Sequence, residues 1–334
     1  MNLCEVLFTQ SSLGVSDGCD YNVDRVEAEA CHASFERDFV MTLKARRTLT
    51  AYLMLFPTLA LLAVFTLYPI VESFVISFFH WDMISPHKQF VGFQNYVQIF
   101  KDPLFHRAVV NTLLFVVLYV PIVMALGLAV ALLLNAKIRL RGFFRTAIFL
   151  PYVTSIAATG IIWQWIFNDQ FGLLNDLLRQ VGIQGPDWLN TPQDTMICLV
   201  TLSVWQSLGY VSVLFLAGLQ NISREYYEAA RVDGAHGWDL FRHVTWPLLS
   251  PTTFFVLLMS TIEAFKVFLP VYVLYGATDG PNDSGLTMLY YMFTEGFSDY
   301  RMGYASASAY ILFVIILACT LLQMTLQRRV HYES

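Results

Sequence analysis

Six stretches of the chain stay apolar for about twenty residues or more, near 52–80, 108–134, 146–168, 195–220, 251–275 and 305–326, and polar segments separate them. A helix needs ~20 mostly apolar residues to cross the hydrocarbon of a bilayer. Within these stretches apolar and polar positions do not alternate as barrel strands do. Backbone amides in lipid must also pair inside their own segment, so each stretch predicts a transmembrane α-helix. The predicted fold class is an all-α membrane protein of six transmembrane helices. Pro57, Pro69, Pro121, Pro151, Gly209 and Pro270 fall inside the stretches. They predict kinked helices around an internal path, where neighbours or cavity water can satisfy freed carbonyls.

Composition agrees with a bilayer as the solvent: 56% of the 334 residues are hydrophobic and 13% are charged. The net charge of −5 comes from the first forty residues, where eight acids face Arg25 and Arg37. The rest is near neutral and offers no field for nucleic acid or another highly charged partner. Lys and Arg beside the spans set orientation. Lys44, Arg46, Arg47, the group from Lys137 to Arg145, Arg224, Arg231, Arg242, Arg328 and Arg329 fall on one side, against Lys88, Lys101, Arg107, Arg179 and Arg301 on the other. Both termini are therefore predicted to be cytoplasmic in a multi-pass membrane protein. Residues 1–48 read as a polar cytoplasmic tail and 49–330 as the six-helix domain. The first forty residues lack the basic start and apolar run of a signal peptide. They read either as native tail or as an upstream extension preceding a start at Met41. Cys4, Cys19, Cys31, Cys198 and Cys319 have no metal-site or redox spacing.

The segment 221–250, between the fourth and fifth spans, has a distinct pattern. Ser223 is a predicted N-cap with Glu225 in the first turn, and Glu228-Ala229-Ala230-Arg231 favours helix. Gly234 and Gly237 break it; a second short helix carries Leu240, Phe241 and Val244, and Pro247 is predicted to stop it. Acids outnumber bases here, so an amphipathic pair of helices is better suited to a protein groove than to anionic lipid.

Glu228-Ala229-Ala230, Asp233-Gly234-Ala235, Phe241 and Trp246-Pro247 with Pro251 resemble the EAA loop of ABC importer permeases. Phe90 to Tyr96, Asp102-Pro103, Asn111-Thr112, Leu150-Pro151, Trp188 and Gly303 to Ala307 are similar to the maltose-type, carbohydrate-uptake branch. Trp246 stands where Leu is usual, and Gly276 to Pro281 is an imperfect copy of a Gly-rich external loop. The resemblance implies the maltose-type permease fold, with coupling to an ATPase through Glu228, Ala229, Ala230, Asp233, Gly234, Ala235, Phe241 and Pro247. It also implies the partners: a sister permease, two ATPase subunits that hold ATP and Mg, and an extracytoplasmic sugar-binding protein, with membrane lipid around the spans. No cofactor and no metal is expected on this chain itself.

Sugar paths combine aromatic rings with neutral hydrogen-bonding groups, and the fourth span carries Ser203, Trp205, Gln206, Ser207, Tyr210 and Ser212. Helix packing and interfacial anchoring use the same residues. Tyr152, Tyr210 and Ser260 fall on positions where maltose-type permeases contact sugar, whereas Ala264 and Val267 stand where amides are used. Tyr152, Trp205, Tyr210 and Ser260 form the candidate substrate path. Glu263 and Lys266, three apart, read either as a self-neutralising pair or as a functional group in the membrane.

Rival classes are less well supported. Six of seven His lie in loops or tails and no His-Glu-x-x-His motif occurs, which argues against an intramembrane enzyme, and no catalytic residue is expected. A secondary transporter would show paired interrupted repeats, which are not evident. A glycerol-phosphate-type importer permease stays open as an alternative. The chain has no phosphate-binding Gly-rich loop, so ATP hydrolysis falls to a separate subunit.

Overall fold

The computed structural model describes residues 47–85, 87–136 and 139–327. The tail reading therefore lies outside the described residues, except that Arg47 and Thr48 already belong to helix α1 (Arg47–Ile76). The chain divides into two units after Glu72, and α1 supplies the described part of the first. A π-helical turn at Ala63–Leu67 interrupts α1 just before Tyr68-Pro69, with the Tyr68 amide donating to the Ala63 carbonyl five residues back. Proline has no amide proton, and its ring presses on the carbonyl four residues earlier. The wider turn absorbs both demands.

The second unit opens with a short antiparallel ribbon, β1 (Phe79–His80) and β2 (Gln89–Phe90), followed by α2 (Gln94–Ile99). Then come α3 (Pro103–Asn135), α4 (Arg141–Val153), α5 (Ile156–Ile166), α6 (Leu173–Gln180) and α7 (Pro192–Asn221). The polar loop holds α8 (Arg224–Val232) and α9 (Trp238–Leu248). The chain ends with α10 (Ser250–Phe265), α11 (Leu269–Leu274), α12 (Met288–Phe293) and α13 (Met302–Gln327). Phe115 of α3, Leu199, Leu202 and Phe215 of α7 and Val256 of α10 are fully or almost fully buried and form the core. Gly127 lets α3 approach α7 at Val211.

Four helices, α1, α3, α7 and α13, are long and apolar enough to cross a membrane. Among the described residues up to six spans result when α4 with α5 and α9 with α10 each count as one; the number agrees with the hydrophobic pattern, although the second pair runs over 238–265 and not over 251–275. The pattern misses the bends. The third span is two helices, α4 and α5, meeting at 96°. Pro151 sits inside α4, and the break follows at Thr154-Ser155, where the Thr154 hydroxyl donates to the Pro151 carbonyl at 2.7 Å. A side chain that bonds its own backbone competes with continued helix.

The fifth span is likewise not one helix over 251–275. Lys266 caps α10, Val267 and Phe268 leave helical geometry, and α11 begins afresh. Pro270 lies in the first turn of α11, where its missing amide costs nothing, so it starts a helix instead of kinking one. The Thr287 hydroxyl donates to the Val267 carbonyl at 2.8 Å. Gln164 of α5 donates to the Val273 and Leu274 carbonyls at 2.8 and 3.0 Å, closing the end of α11.

Pro121 and Gly209 do not break their helices: α3 and α7 run on through them. A Cβ on Gly209 would collide with the backbone of Ile148 and Phe149, so this glycine is there for close approach of α4. Nor does Pro247 stop α9. A second π-helical turn, Phe241–Thr245, precedes Trp246-Pro247, with the Trp246 amide donating to Phe241. The helix runs on to Leu248 and then bends by 65° into α10.

Candidate functional site

The two breaks face a common cavity of about 470 Å³. Its walls are Phe115 and Tyr119 of α3, Tyr152, Thr154 and Ile156 at the α4–α5 break, and Ser203, Gln206 and Ser207 of α7. Glu263 and Ala264 of α10, Lys266 to Pro270 at the second break and Leu289 of α12 complete it. Broken spans put irregular backbone at membrane depth where it lines a cavity, the setting in which such backbone is tolerated. Phe115 and Tyr119 stack at 5.2 Å. Lys266 Nζ donates to Glu263 Oε1 at 2.7 Å, and these are the charged residues of the lining. The Ser203 hydroxyl is buried and has no hydrogen-bond partner among the described residues.

The predicted path residues divide. Tyr152 lines the cavity, and the ring of Tyr210 stacks on it at 4.8 Å with planes 12° apart. The tight α4–α7 contact at Gly209 makes this possible, since it sets the neighbouring Tyr210 against α4. Trp205 instead meets Trp163 edge-on at 5.6 Å, which serves packing between α7 and α5. Ser260 is buried on α10, one turn before Ala264, and is not part of the cavity wall. Ser212 donates to the Leu208 carbonyl at 2.6 Å, a packing role.

The loop from Ser223 to Leu248 forms a helix–turn–helix. The Ser223 side chain accepts from the Glu225 amide, as the N-cap reading expects. At the other end of α8 Gly234 has φ +88°, its amide donates to Arg231 and the Ala235 amide donates to Ala230 at 2.9 Å. That pair of bonds around a left-handed residue is a Schellman cap. Tyr227 and Thr245 hydroxyls meet at 3.1 Å and tie the two helices. Glu228, Ala229 and Asp233 are exposed, Ala230 and Ala235 half-buried. Trp238 stacks on Phe241, which also touches Trp246, and Trp238 is 68% exposed. Acidic side chains and exposed aromatic surface thus share one small element.

Several residues quoted for the resemblance turn out to be fasteners. The Asp102 carboxylate caps α3 by accepting from the Leu104 amide at 2.9 Å, and it also accepts from Tyr291 at 2.6 Å and Tyr304 at 3.4 Å. Asn111 donates to the carbonyls of Asp283 and Leu286, while the buried Thr112 hydroxyl accepts the first amide of α12. Trp188 donates to Asn175 at 2.7 Å. Asn95 donates to Ser77 and Phe79, and Gly303 leaves room for the Phe79 carbonyl. Nearby, Glu295 is buried and paired with Arg301; burial pushes its carboxyl above the usual range, and Arg301 partly opposes this. Sequence reasoning missed Phe115, Tyr119 and Thr154 as cavity residues, because nothing local distinguishes them from ordinary span residues.

Residues 122–332 match the family described as binding-protein-dependent transport system inner membrane component. The chain belongs to that family. Relatives of this permease component include the arabinooligosaccharides transport system permease protein AraP of Bacillus subtilis, 36% identical over 82% of this chain and 87% of the relative. The lactose transport system permease protein LacF of Rhizobium radiobacter is 35% identical over 84% and 95%. A bacterial alginate ABC transporter, solved in complex with an alginate pentasaccharide-bound periplasmic protein, contains a chain with the same fold. It matches at TM-score 0.75 and 24% identity, over 85% of this permease and 96% of that chain.

Proposed function

We propose that this chain is the permease subunit of a bacterial ATP-driven importer that passes a sugar or oligosaccharide from an extracytoplasmic binding protein into the cytoplasm. The observation that carries the reading is the cavity between the broken spans. It combines aromatic surface at Phe115, Tyr119 and the Tyr152–Tyr210 stack with neutral hydrogen-bonding groups at Ser203, Gln206 and Ser207. Rings offer flat apolar faces to sugar C–H groups and hydroxyls satisfy sugar hydroxyls. The names of the arabinooligosaccharide and lactose permeases support the same class.

The importer would also contain a sister permease and two ATPase subunits, which bind ATP and Mg and do the hydrolysis, since the sequence of this chain lacks the phosphate-binding Gly-rich loop. Both termini are assigned to the cytoplasm from the distribution of Lys and Arg, which puts α8 and α9 on the ATPase side. There Glu228 is placed to pair with an Arg or Lys of a partner groove. The Ala229, Ala230 and Ala235 positions allow close approach, the cap at Asp233-Gly234 sets the turn, and Phe241 supports the exposed Trp238. The π-helical turn before Pro247 leads through the 65° bend into α10, whose far end reaches the cavity, so a push on the loop has a covalent route of two helices to the substrate path.

Reconstitution of the whole importer in proteoliposomes, with labelled arabinobiose, lactose, maltose and trehalose, tests the proposal. Uptake of at least one of these neutral sugars, dependent on ATP and on the binding protein, is the expected result. Sugar flux through this chain alone without ATP would replace the reading with a secondary transporter, and ATP-driven uptake confined to glycerol phosphate would replace the substrate class.

A further inference from the structure

The cavity wall formed by α10 and the break after it is apolar at Ala264, Val267, Phe268, Leu269 and Pro270, so its side-chain polarity comes from Glu263 and Lys266. Their mutual bond uses one of the three protons of the ammonium and one acceptor position of the carboxylate. Two donors and a carboxylate oxygen stay available beside each other. Ser203 of α7 adds a buried, unpartnered hydroxyl.

A sugar hydroxyl both donates and accepts. Two neighbouring hydroxyls can therefore take a proton from Lys266 and give one to Glu263 without separating the pair. An anionic group cannot do this. It is drawn to Lys266 but must lie within a few ångströms of the Glu263 carboxylate, and among the described residues no second cation lines the cavity. Like charges at such distances repel; the two side chains are 47% and 59% exposed, which moderates the repulsion without removing it.

We propose that the Glu263–Lys266 pair is a charge filter: it passes neutral sugars and rejects sugars that carry a carboxylate. This rests on the sugar-permease reading above and names the substrate class within it.

The filter is tested on the assembled importer in lipid nanodiscs with no binding protein added, so that selection by that protein does not enter. Equilibrium binding is measured for two matched probes, labelled galactobiose and labelled digalacturonate. Wild type is expected to favour galactobiose. Glu263→Gln should move the ratio of the two affinities toward digalacturonate by about tenfold or more. Glu263→Asp keeps the charge and should keep the wild-type preference, and Glu263→Gln combined with Lys266→Gln should lose the gain. Should Glu263→Gln fail to assemble, Glu263→Ala carries the same expectation. An unchanged ratio in the uncharged variants, or wild-type preference for digalacturonate, overturns the filter. Binding of neither probe, when the complete importer takes up neutral sugar, also overturns it. Failure of the complete importer to take up any neutral sugar overturns the sugar-permease reading instead.

Discussion

Tyr210 reaches the cavity by way of Tyr152: its ring backs the one that lines the wall. A parallel aromatic pair contributes ~0.5–1.5 kcal/mol beyond the area it buries. Tyr210→Ala is therefore expected to lower sugar uptake by about tenfold, while the complex still assembles. Tyr210→Phe, which keeps the stack, should retain most of the rate. Normal uptake by Tyr210→Ala, measured beside thermal stability of the complex, would remove Tyr152 and Tyr210 from the substrate path. Gly234 poses a different demand, because no atom lies near where its Cβ would stand and the constraint is wholly in φ. The left-handed region costs an ordinary residue ~1–2 kcal/mol and a β-branched one more. Gly234→Val should leave the spans folded but lose co-purifying ATPase or uncouple hydrolysis from uptake; Gly234→Asn should be milder. Unaltered ATPase retention and coupling in Gly234→Val would count against the docking assignment. The turn at Gly234 was legible from its place between helix-favouring runs, whereas Tyr210 was singled out only through resemblance. Trp205 and Ser260 could not be sorted in the same way, since residue type does not say which way a helix face turns.

Single helices were legible as elements because twenty apolar residues leave the backbone no other solution in lipid. The 96° bend and the break between α10 and α11 were not, for they depend on side-chain hydroxyls and on carbonyls borrowed from other elements, such as Thr154 donating to Pro151 and Thr287 donating to Val267. The contact of α4 with α7 depends on Gly209 in the same nonlocal way. Gly209→Val would drive a side chain into the backbone of Ile148, and overpacking of this kind costs ~1–3 kcal/mol. A lower melting temperature together with weakened uptake is expected, and an unchanged melting temperature would show that the contact is slack. Pro247 offers the converse case. Pro247→Ala removes the demand for the preceding π-helical turn, and an α-helical register would rotate Trp238 and Phe241 relative to α10 by about 100°, the turn of one residue. Coupling of hydrolysis to uptake should fall although thermal stability does not. Full coupling in this variant would mean that the turn persists for another reason.

For the whole chain the assigned orientation has a direct measure. Single cysteines at Asp239 and at Thr278, on a background without exposed thiols, are expected to react differently with an impermeant maleimide added to intact cells. Thr278→Cys should label and Asp239→Cys should not. Reaction at Asp239→Cys from outside would invert the topology and detach α8 and α9 from any cytoplasmic ATPase. The Asp102 carboxylate bears on how such a molecule can rock. By holding the first turn of α3 together with Tyr291 of α12 and Tyr304 of α13, one side chain works as a rivet through three members of a frame. Members riveted at one end swing as a single panel. The stretch Lys266 to Phe268, where regular helix is absent between α10 and α11, is where we expect the remainder to hinge against that panel.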